Sequence, residues 1–175
     1  LLDTDGDGYT NRDEFIQDTD PHRYVISLSD SWNAVAICRQ PAAHQVQDIF
    51  APEIIEGEVW TMIDGQYRPV DELVPGQAYW LQAAEATDVV LEPVGPAPDE
   101  GDAYTLHLVK GWNFVAIRRR PLDSSVDALF GDCEAVLPPV WTWREGRFVQ
   151  VDILLPLEGY WIYAQEAVNV QIALP

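Results

Sequence analysis

The sequence is poor in basic residues, in cysteine, in histidine and in methionine, and it contains no long apolar run. Its 10 Lys and Arg residues stand against 29 Asp and Glu residues, which gives a formal net charge of -19. This charge argues against nucleic acid as a partner, because two polyanions repel each other. No apolar run reaches the roughly 18 residues of a membrane-spanning helix, so the sequence predicts no membrane span.

The chain also begins without an initiator Met or a signal peptide, at Leu1 and Leu2. An initiator Met and a signal peptide are typical of a complete, newly made secreted protein, whereas a mature fragment has neither. We therefore expect this chain to be a mature or excised part of a longer protein.

Catalytic motifs are missing as well. The sequence has 3 His, and none has the spacing of a metal site such as H-x-x-H, while no Ser lies in a Gly-flanked nucleophile turn. A carboxylate pair for glycoside hydrolysis stays open with 29 acidic residues. However, Asp71 and Asp152, the matched Asp pair, each follow a predicted strand, where a turn is the simpler explanation. We expect no enzymatic active site.

The sequence contains 2 cysteines, Cys38 and Cys133. In an exported protein such a pair suggests one disulfide bond, which here would link the two halves of the chain. The alternative is two separate small buried thiols.

What the sequence has in abundance is internal repetition. Residues 30–37, DSWNAVAI, return as residues 110–117, KGWNFVAI, and residues 78–80, AYW, return as residues 159–161, GYW. The correspondence extends over about 70 positions at an offset of about 80, with roughly one residue in three identical, so the two halves are copies of one structural unit.

Short apolar runs punctuated by Gly, Pro, Asn and Asp predict that each copy is a β structure. The fold class we predict is mostly β, with two homologous β-sandwich or barrel-like repeats, each with one short helix. Residues 1–23 precede the repeats, residues 24–93 and 104–175 form them, and the Pro- and Gly-rich residues 94–103 link them. The repeats form either two modules joined by a spacer or one pseudo-twofold barrel.

The expected strands of the first repeat cover residues 24–28, 33–38, 58–63, 66–70, 78–83 and 89–91, and those of the second cover residues 104–109, 113–118, 140–143, 147–151, 159–163 and 168–172. A helical turn is expected around Val46 and Phe50, and again around Val126 and Phe130, where apolar residues keep the i, i+3, i+4 spacing. Asp123 or Ser124 could cap the second helix.

Residues 3–14 fit the calcium-loop pattern D-x-[DN]-x-[DN]-G-x5-E at every defined position. Calcium prefers six to eight oxygen ligands, and alternate carboxylates in a tight loop supply them. Tyr9 would contribute its backbone carbonyl, Asn11 would bind directly or through water, and Gly8 permits the sharp turn. The predicted ligands are Asp3, Asp5, Asp7, Tyr9, Asn11 and Glu14.

These residues resemble the thrombospondin type 3 calcium repeats of secreted bacterial proteins and, more distantly, dockerin and EF-hand loops. The two copies of the unit resemble repeats at the C-terminal ends of large secreted bacterial proteins, which carry a Gly-Trp-Asn strand early and a Gly-Tyr-Trp strand late. The resemblance implies a bound Ca2+ ion and an extracellular or cell-surface location in bacteria, but no catalytic residues.

Six tryptophans recur in both copies, and we predict that they are core anchors because both copies retain them. Trp143 shares a strand face with Trp141 and should be inside with it. Tyr163 replaces Gln82 of the first copy and is therefore the freer aromatic residue. The six recurring residues are Trp32, Trp60, Trp80, Trp112, Trp141 and Trp161.

The second repeat holds six of the ten basic residues, whereas the first repeat is acidic. This split suggests a partner surface for a protein or for a second copy bound head to tail, and the alternative is that the arginines guard a strand edge against unwanted pairing. The candidate residues are Arg118, Arg120, Arg144 and Arg147, with Tyr163.

From these patterns we expect a non-catalytic, calcium-stabilised extracellular module at the C-terminus of a larger bacterial protein, which serves surface display, adhesion or head-to-tail assembly. The alternative is a carbohydrate-binding module of a secreted enzyme, in which Tyr163 or an exposed Trp stacks on sugar rings and the basic residues select an acidic polysaccharide.

Overall fold

A computed structural model describes residues 23–92 and 103–174 of the chain. In this part the chain is mostly β, and the two copies of the repeat form two units with the same order of elements. The predicted fold class, two homologous β units with one short helix each, is therefore confirmed. The predicted calcium loop lies outside the described residues.

The first unit consists of a two-stranded and a four-stranded antiparallel sheet. Strands β1 and β6 pair in the small sheet, and the order in the large sheet is β2-β5-β3-β4. Its elements are β1 (Tyr24–Leu28), β2 (Trp32–Ala36), α1 (Val46–Ile49), β3 (Ile55–Ile63), β4 (Gln66–Val70), β5 (Ala78–Ala83) and β6 (Thr87–Leu91).

The second unit repeats this arrangement. Strands β7 and β12 form its small sheet, and the order in its large sheet is β8-β11-β9-β10. Its elements are β7 (Ala103–Leu108), β8 (Gly111–Ala116), α2 (Val126–Phe130), β9 (Val136–Arg144), β10 (Arg147–Val151), β11 (Gly159–Ala164) and β12 (Val168–Ala173).

All the expected strands are present, and β3 and β9 differ most from the prediction because they begin several residues earlier. Gly57 in β3 and the pair Pro138 and Pro139 in β9 look like strand breakers in the sequence. In the fold they fall where each strand changes register against its neighbour, β5 or β11. Such irregular positions tolerate Gly and Pro, so the strands continue through them.

Each unit has its own apolar core, to which both sheets and the helix contribute. Strand β1 shows the alternation of a half-buried strand, with Tyr24, Ile26 and Leu28 inside and the residues between them exposed. Strand β2 is different, because Asn33 to Ala36 are buried without interruption. Its residues pack on both faces of the large sheet, and only one of those faces belongs to the core of the unit.

The Asn of the Trp-Asn motif has the same structural role in both copies. The side chain of Asn33 accepts a hydrogen bond from Ser29 N–H at 2.9 Å and donates to the carbonyls of Ser29 and Ser31 at 3.0 and 2.7 Å. Asn113 makes the equivalent bonds to Val109 and Gly111 in the second unit. Each Asn is buried, so these bonds satisfy its polar groups and fix the turn before β2 or β8.

The Tyr of the late motif has a similar structural role. The hydroxyl of Tyr79 accepts a hydrogen bond from Val74 N–H, and the hydroxyl of Tyr160 accepts one from Leu155 N–H at 2.8 Å. Both rings are fully buried in the cores of their units. The recurrence of the Tyr is therefore explained by the loop that it holds against the core.

The second helix is capped one residue later than predicted. Ser125 is the N-cap, and its hydroxyl oxygen accepts a hydrogen bond from Ala128 N–H at 3.2 Å. Asp123 supports this cap because its carboxylate accepts a hydrogen bond from Ser125 N–H at 2.8 Å. Ser124 does not cap the helix, and its hydroxyl is buried without a partner among the described residues.

The two units contact each other through a pair of matching backbone bridges. Val35 pairs with Glu158, and its counterpart Val115 pairs with Gln77, the counterpart of Glu158. The N–H of Ala36 also donates to the carbonyl of Leu157 at 2.9 Å. The repetition of the same bridge in both directions indicates a pseudo-twofold relation between the units.

No helix among residues 23–92 and 103–174 is long and apolar enough to cross a membrane.

Candidate functional site

The prediction that the six recurring tryptophans anchor the cores is wrong for most of them. Only Trp161 is buried, at 6% exposure, whereas Trp112 is 47% exposed and the other four are half-buried. None of the six belongs to the core of its own unit. They lie on the opposite face of the large sheets, because the core-facing positions of β5 and β11 are taken by the neighbouring Tyr and by Leu81 or Ile162.

This second face of the large sheets forms a third apolar cluster, which joins the two units. It combines small residues of the first unit with large aromatic residues of the second, and Trp80, Trp141 and Trp143 pack against it, as does Met62. Its buried members are Ala34, Ala36, Ala78, Phe114, Ala116 and Trp161.

The third cluster is not symmetric, and one pair of counterparts explains why. Trp32 stacks on Trp80 in the first unit, with centroids 5.2 Å apart and planes 9° apart. In the second unit Phe114, the counterpart of Ala34, stacks on Trp161 at 4.2 Å and 20°. The face of Trp161 is therefore occupied by Phe114.

Trp112, the counterpart of Trp32, consequently has a different aromatic neighbour from Trp32. Its ring meets Tyr163 edge to face, with centroids 5.3 Å apart and planes 76° apart. Tyr163, which the sequence singled out as the freer aromatic residue, is half-buried beside it. The two form an aromatic pair across β8 and β11, where the first unit has Trp32 opposite Gln82.

Beside this pair lies an aromatic groove of about 610 Å³ that both units line. Trp141 and Trp161 form its less exposed part, while Tyr67, Trp112 and Phe148 are 44%, 47% and 53% exposed. Among residues 23–92 and 103–174, none with a charged side chain lines the groove. The lining residues in this part of the chain are Met62, Gly65, Tyr67, Trp112, Trp141, Phe148 and Trp161.

Tyr67 is held at the groove by the other unit. Its hydroxyl oxygen accepts a hydrogen bond from the indole Nε1–H of Trp161 at 2.7 Å. Partial burial raises the pKa of the Tyr67 hydroxyl, and the hydrogen bond from Trp161 lowers it by less. The phenol is therefore neutral at ordinary pH, which keeps the groove free of charge.

Tyr67 and Phe148 are groove residues that were not predicted, although the sequence contains a signal for them. They are counterparts, both aromatic, and both follow a turn with Gly at its second position, Asp64-Gly65 or Glu145-Gly146. An aromatic residue retained beside an exposed turn has no core to fill, so it indicates a functional surface.

The arginines of the predicted partner surface have several roles. Arg118 packs on Gly76 of the first unit and lies over the Tyr104 ring, 6.0 Å from its centroid. Arg144 forms an ion pair with Glu158, at 2.7 Å from Nη2 to Oε1. Arg120 and Arg144 line one cleft, and Arg147 is opposite Arg144 across β9 and β10. Arg118 and Arg144 are thus engaged in contacts within the chain.

The structure shows no disulfide bond between Cys38 and Cys133, the link that the sequence left open. Cys38 is buried just after β2, and Cys133 follows α2 and packs against the core of the second unit. The two side chains lie in two different units, and Cys133 is half-buried rather than buried.

In the part of the chain that the structure describes, no group of three His, Cys, Asp or Glu side chains is placed to hold a metal ion. The predicted calcium ligands Asp3, Asp5, Asp7, Tyr9, Asn11 and Glu14 precede the first described residue, Arg23. Their prediction therefore rests on the sequence pattern.

No family model, no curated protein and no solved structure matches this chain.

Proposed function

We propose that this chain is a non-catalytic module of a larger extracellular bacterial protein, and that it mediates adhesion by binding carbohydrate in the aromatic groove. The observation that carries this proposal is the exposure of Tyr67, Trp112 and Phe148 along one uncharged groove. Exposed apolar surface on a soluble protein is commonly a binding site.

Carbohydrate suits this groove because a pyranose ring has two kinds of surface. Its axial C–H groups form an apolar face that packs on an aromatic ring, while its hydroxyls radiate sideways into water. The Trp112 and Tyr163 pair offers such a ring beside the groove. The indole N–H of Trp161 is already bonded to Tyr67, so the floor of the groove carries no unpaired indole donor at that point.

Head-to-tail assembly is a second candidate, and the charge split of the chain favours it. Arg147 is exposed in the second unit, and the first unit is acidic. Assembly of this kind predicts a larger sedimentation coefficient at low salt than at high salt, because salt screens the attraction. A monomer at both salt concentrations would leave carbohydrate binding as the sole basis of adhesion.

Calcium has a structural role in this proposal. A Ca2+ ion held by residues 3–14 would stiffen the junction between the first β unit and the part of the protein that precedes it. The six predicted ligands would give the ion an oxygen shell from one short loop, independent of the β units.

Variants of the groove test the proposed function. Trp112→Ala and Phe148→Ala should each weaken retention in gels that contain soluble polysaccharides, because each removes an exposed ring of the groove. Leu122→Ala is the matched control, since Leu122 is 71% exposed and does not line the groove. Retention that is equal in all three variants and in the unchanged protein would overturn the proposal.

A further inference from the structure

The pseudo-twofold relation places a cleft at two corresponding positions between the units. The two clefts differ in volume, and we call the larger one the open cleft and the smaller one the closed cleft. In each, the hairpin of one unit approaches the first two strands of the other unit. The open cleft, between β1 and β2 of the first unit and the β9–β10 hairpin, has a volume of about 670 Å³. The closed cleft, between β7 and β8 and the β3–β4 hairpin, has a volume of about 140 Å³.

The difference in volume follows from three pairs of counterparts. Ser27, Ser29 and Ala34 line the open cleft. His107, Val109 and Phe114 take their places in the closed cleft and fill it. Because the backbone arrangement is the same, the open cleft is a consequence of side-chain size in the first copy.

The open cleft also carries polar groups that its counterpart lacks. Arg144 and Arg120 line it, whereas the corresponding positions in the first repeat are Ile63 and Gln40. Arg144 Nη2 donates to both carboxylate oxygens of Glu158 at 2.7 and 2.8 Å. This contact uses one nitrogen of a guanidinium that has five N–H groups, so further donors of Arg144 remain for a ligand.

The charges that the described residues bring to the open cleft balance. These ionisable lining residues are Arg120, Arg144, Glu145 and Glu158, two of each sign. Trp143 adds an aromatic wall, and Ser27 and Ser29 add hydroxyls. A ligand that both donates and accepts hydrogen bonds and has no net charge matches such a lining, since an ion would meet a like charge beside each opposite one.

We propose that the open cleft is a second carbohydrate subsite, which takes a neutral, hydroxyl-rich saccharide unit against Trp143 and the Arg144–Glu158 pair. This inference rests on the proposed function of carbohydrate binding. The aromatic groove provides ring stacking, and the open cleft provides hydrogen bonds to vicinal hydroxyls, so the two sites recognise different parts of one glycan or two glycan chains.

The chain itself supplies the variants that test this subsite. Ala34→Phe and Ser29→Val each introduce the residue of the closed cleft, so both should close the open cleft. Ser29→Val is the milder change, because Val109 holds the same turn through its N–H, which donates to Asn113. The second variant keeps the test valid if Ala34→Phe, within the third cluster, disturbs folding.

Indole N–H signals of protein labelled with 15N-tryptophan provide the readout. Substitution of Trp143 and of Trp112 by Phe assigns their two signals among the 7 tryptophans. The probes are methyl glycosides of neutral hexoses, pentoses and N-acetylhexosamines, with uronates as the charged comparison. We expect saturable shifts of the Trp143 signal with a neutral glycoside, weakened more than about tenfold in both cleft variants and preserved in Trp112→Ala.

Each outcome separates this inference from the proposed function. A Trp112 response without a Trp143 response overturns the second subsite and leaves the groove standing. A Trp143 response only to uronates, or one that both cleft variants retain, also overturns the inference. A Trp143 response without any Trp112 response supports the second subsite and overturns carbohydrate binding in the groove. If neither signal responds, both the second subsite and the proposed function are overturned.

Discussion

At the scale of residues, Ala34 and Phe114 account for much of the difference between two units of the same architecture. Phe114 covers the face of Trp161, and the small Ala34 leaves the equivalent face of Trp80 to Trp32. The sequence shows that these two positions differ. It could not show which ring stacks on Trp80 or on Trp161, because the packing of an aromatic ring depends on the residues of the other unit.

Gly159 lies against the Phe114 ring and has no side chain that would clash with it. A Cβ atom added to Gly159 would lie 2.6 Å from the Phe114 ring, whereas the first unit has Ala78 at this position and Ala34 in place of the ring. We expect Gly159→Ala to lower the free energy of unfolding by about 1–3 kcal/mol, because the methyl group overpacks the third cluster. Urea unfolding followed by circular dichroism measures the change.

The combination with Phe114→Ala controls this prediction. In that background the added methyl has space, so Gly159→Ala should cost less than it does in the unchanged protein. Equal costs in the two backgrounds would show that the glycine is required for a reason other than the ring.

The buried tyrosines predict a loss of stability at high pH. Burial raises the pKa of Tyr79 from 10.0 to about 12 and raises that of Tyr160 as well. Because the folded protein holds these protons more tightly than the unfolded chain, their contribution is complete below pH 10 and declines as the pH rises towards 12. Thermal unfolding between neutral pH and pH 11 should show this decline.

Tyrosine-to-phenylalanine variants identify the groups responsible. Tyr79→Phe and Tyr160→Phe should each reduce the slope of stability against pH above pH 10, since each removes a titrating group. Tyr163→Phe, at the surface beside Trp112, is the control for loss of a hydroxyl. A slope that stays the same in both core variants would contradict the assignment.

At the scale of elements, the two hairpins β3–β4 and β9–β10 place the groove residues. Their turns have positive φ at both central positions, 51° and 74° in the first and 52° and 74° in the second, which suits a tight two-residue turn. The sequence predicted the ends of β4 and β10 correctly, since Gly marks these turns. It did not predict that each hairpin extends to the other unit, because that requires the arrangement of both sheets.

The turn glycine is therefore expected to support both stability and binding. Gly65→Ala should lower the free energy of unfolding by about 1–2 kcal/mol, because alanine is strained at this positive φ. It should also weaken carbohydrate binding, because Gly65 lines the groove and the turn positions Tyr67. Differential scanning calorimetry and gel retention measure the two effects.

Gln66→Ala is the matched control at the next position. Gln66 is exposed and does not line the groove, so its truncation should change stability by less than about 0.5 kcal/mol. If Gly65→Ala and Gln66→Ala change stability and binding equally, the backbone conformation of Gly65 is not the cause of the loss.

At the scale of the whole molecule, the sequence predicted the two cores but not the cluster that joins them. Alternating apolar residues identify the core face of a strand such as β1. Strands buried on both faces, such as β2, read as continuous apolar runs, and the residues of the second face cannot be assigned without the partner unit. The recurring tryptophans were therefore assigned to the wrong layer.

Calcium should stabilise the molecule if residues 3–14 bind it. A ligand that binds only the folded state adds about 2.7 kcal/mol at a concentration one hundred times its dissociation constant. We expect chelation to lower the melting temperature and added Ca2+ to restore it, while Asp5→Asn should lose the response. An unchanged melting temperature after chelation would exclude a stabilising calcium site.

The proposed function requires that the molecule bind carbohydrate through a groove that neither unit forms alone. A glycan array probed with calcium-loaded protein tests it most directly, with the double variant Trp112→Ala and Phe148→Ala probed in parallel. We expect a restricted set of bound glycans for the unchanged protein and loss of that set in the double variant. An array without bound glycans, or a set that the double variant retains, would contradict it.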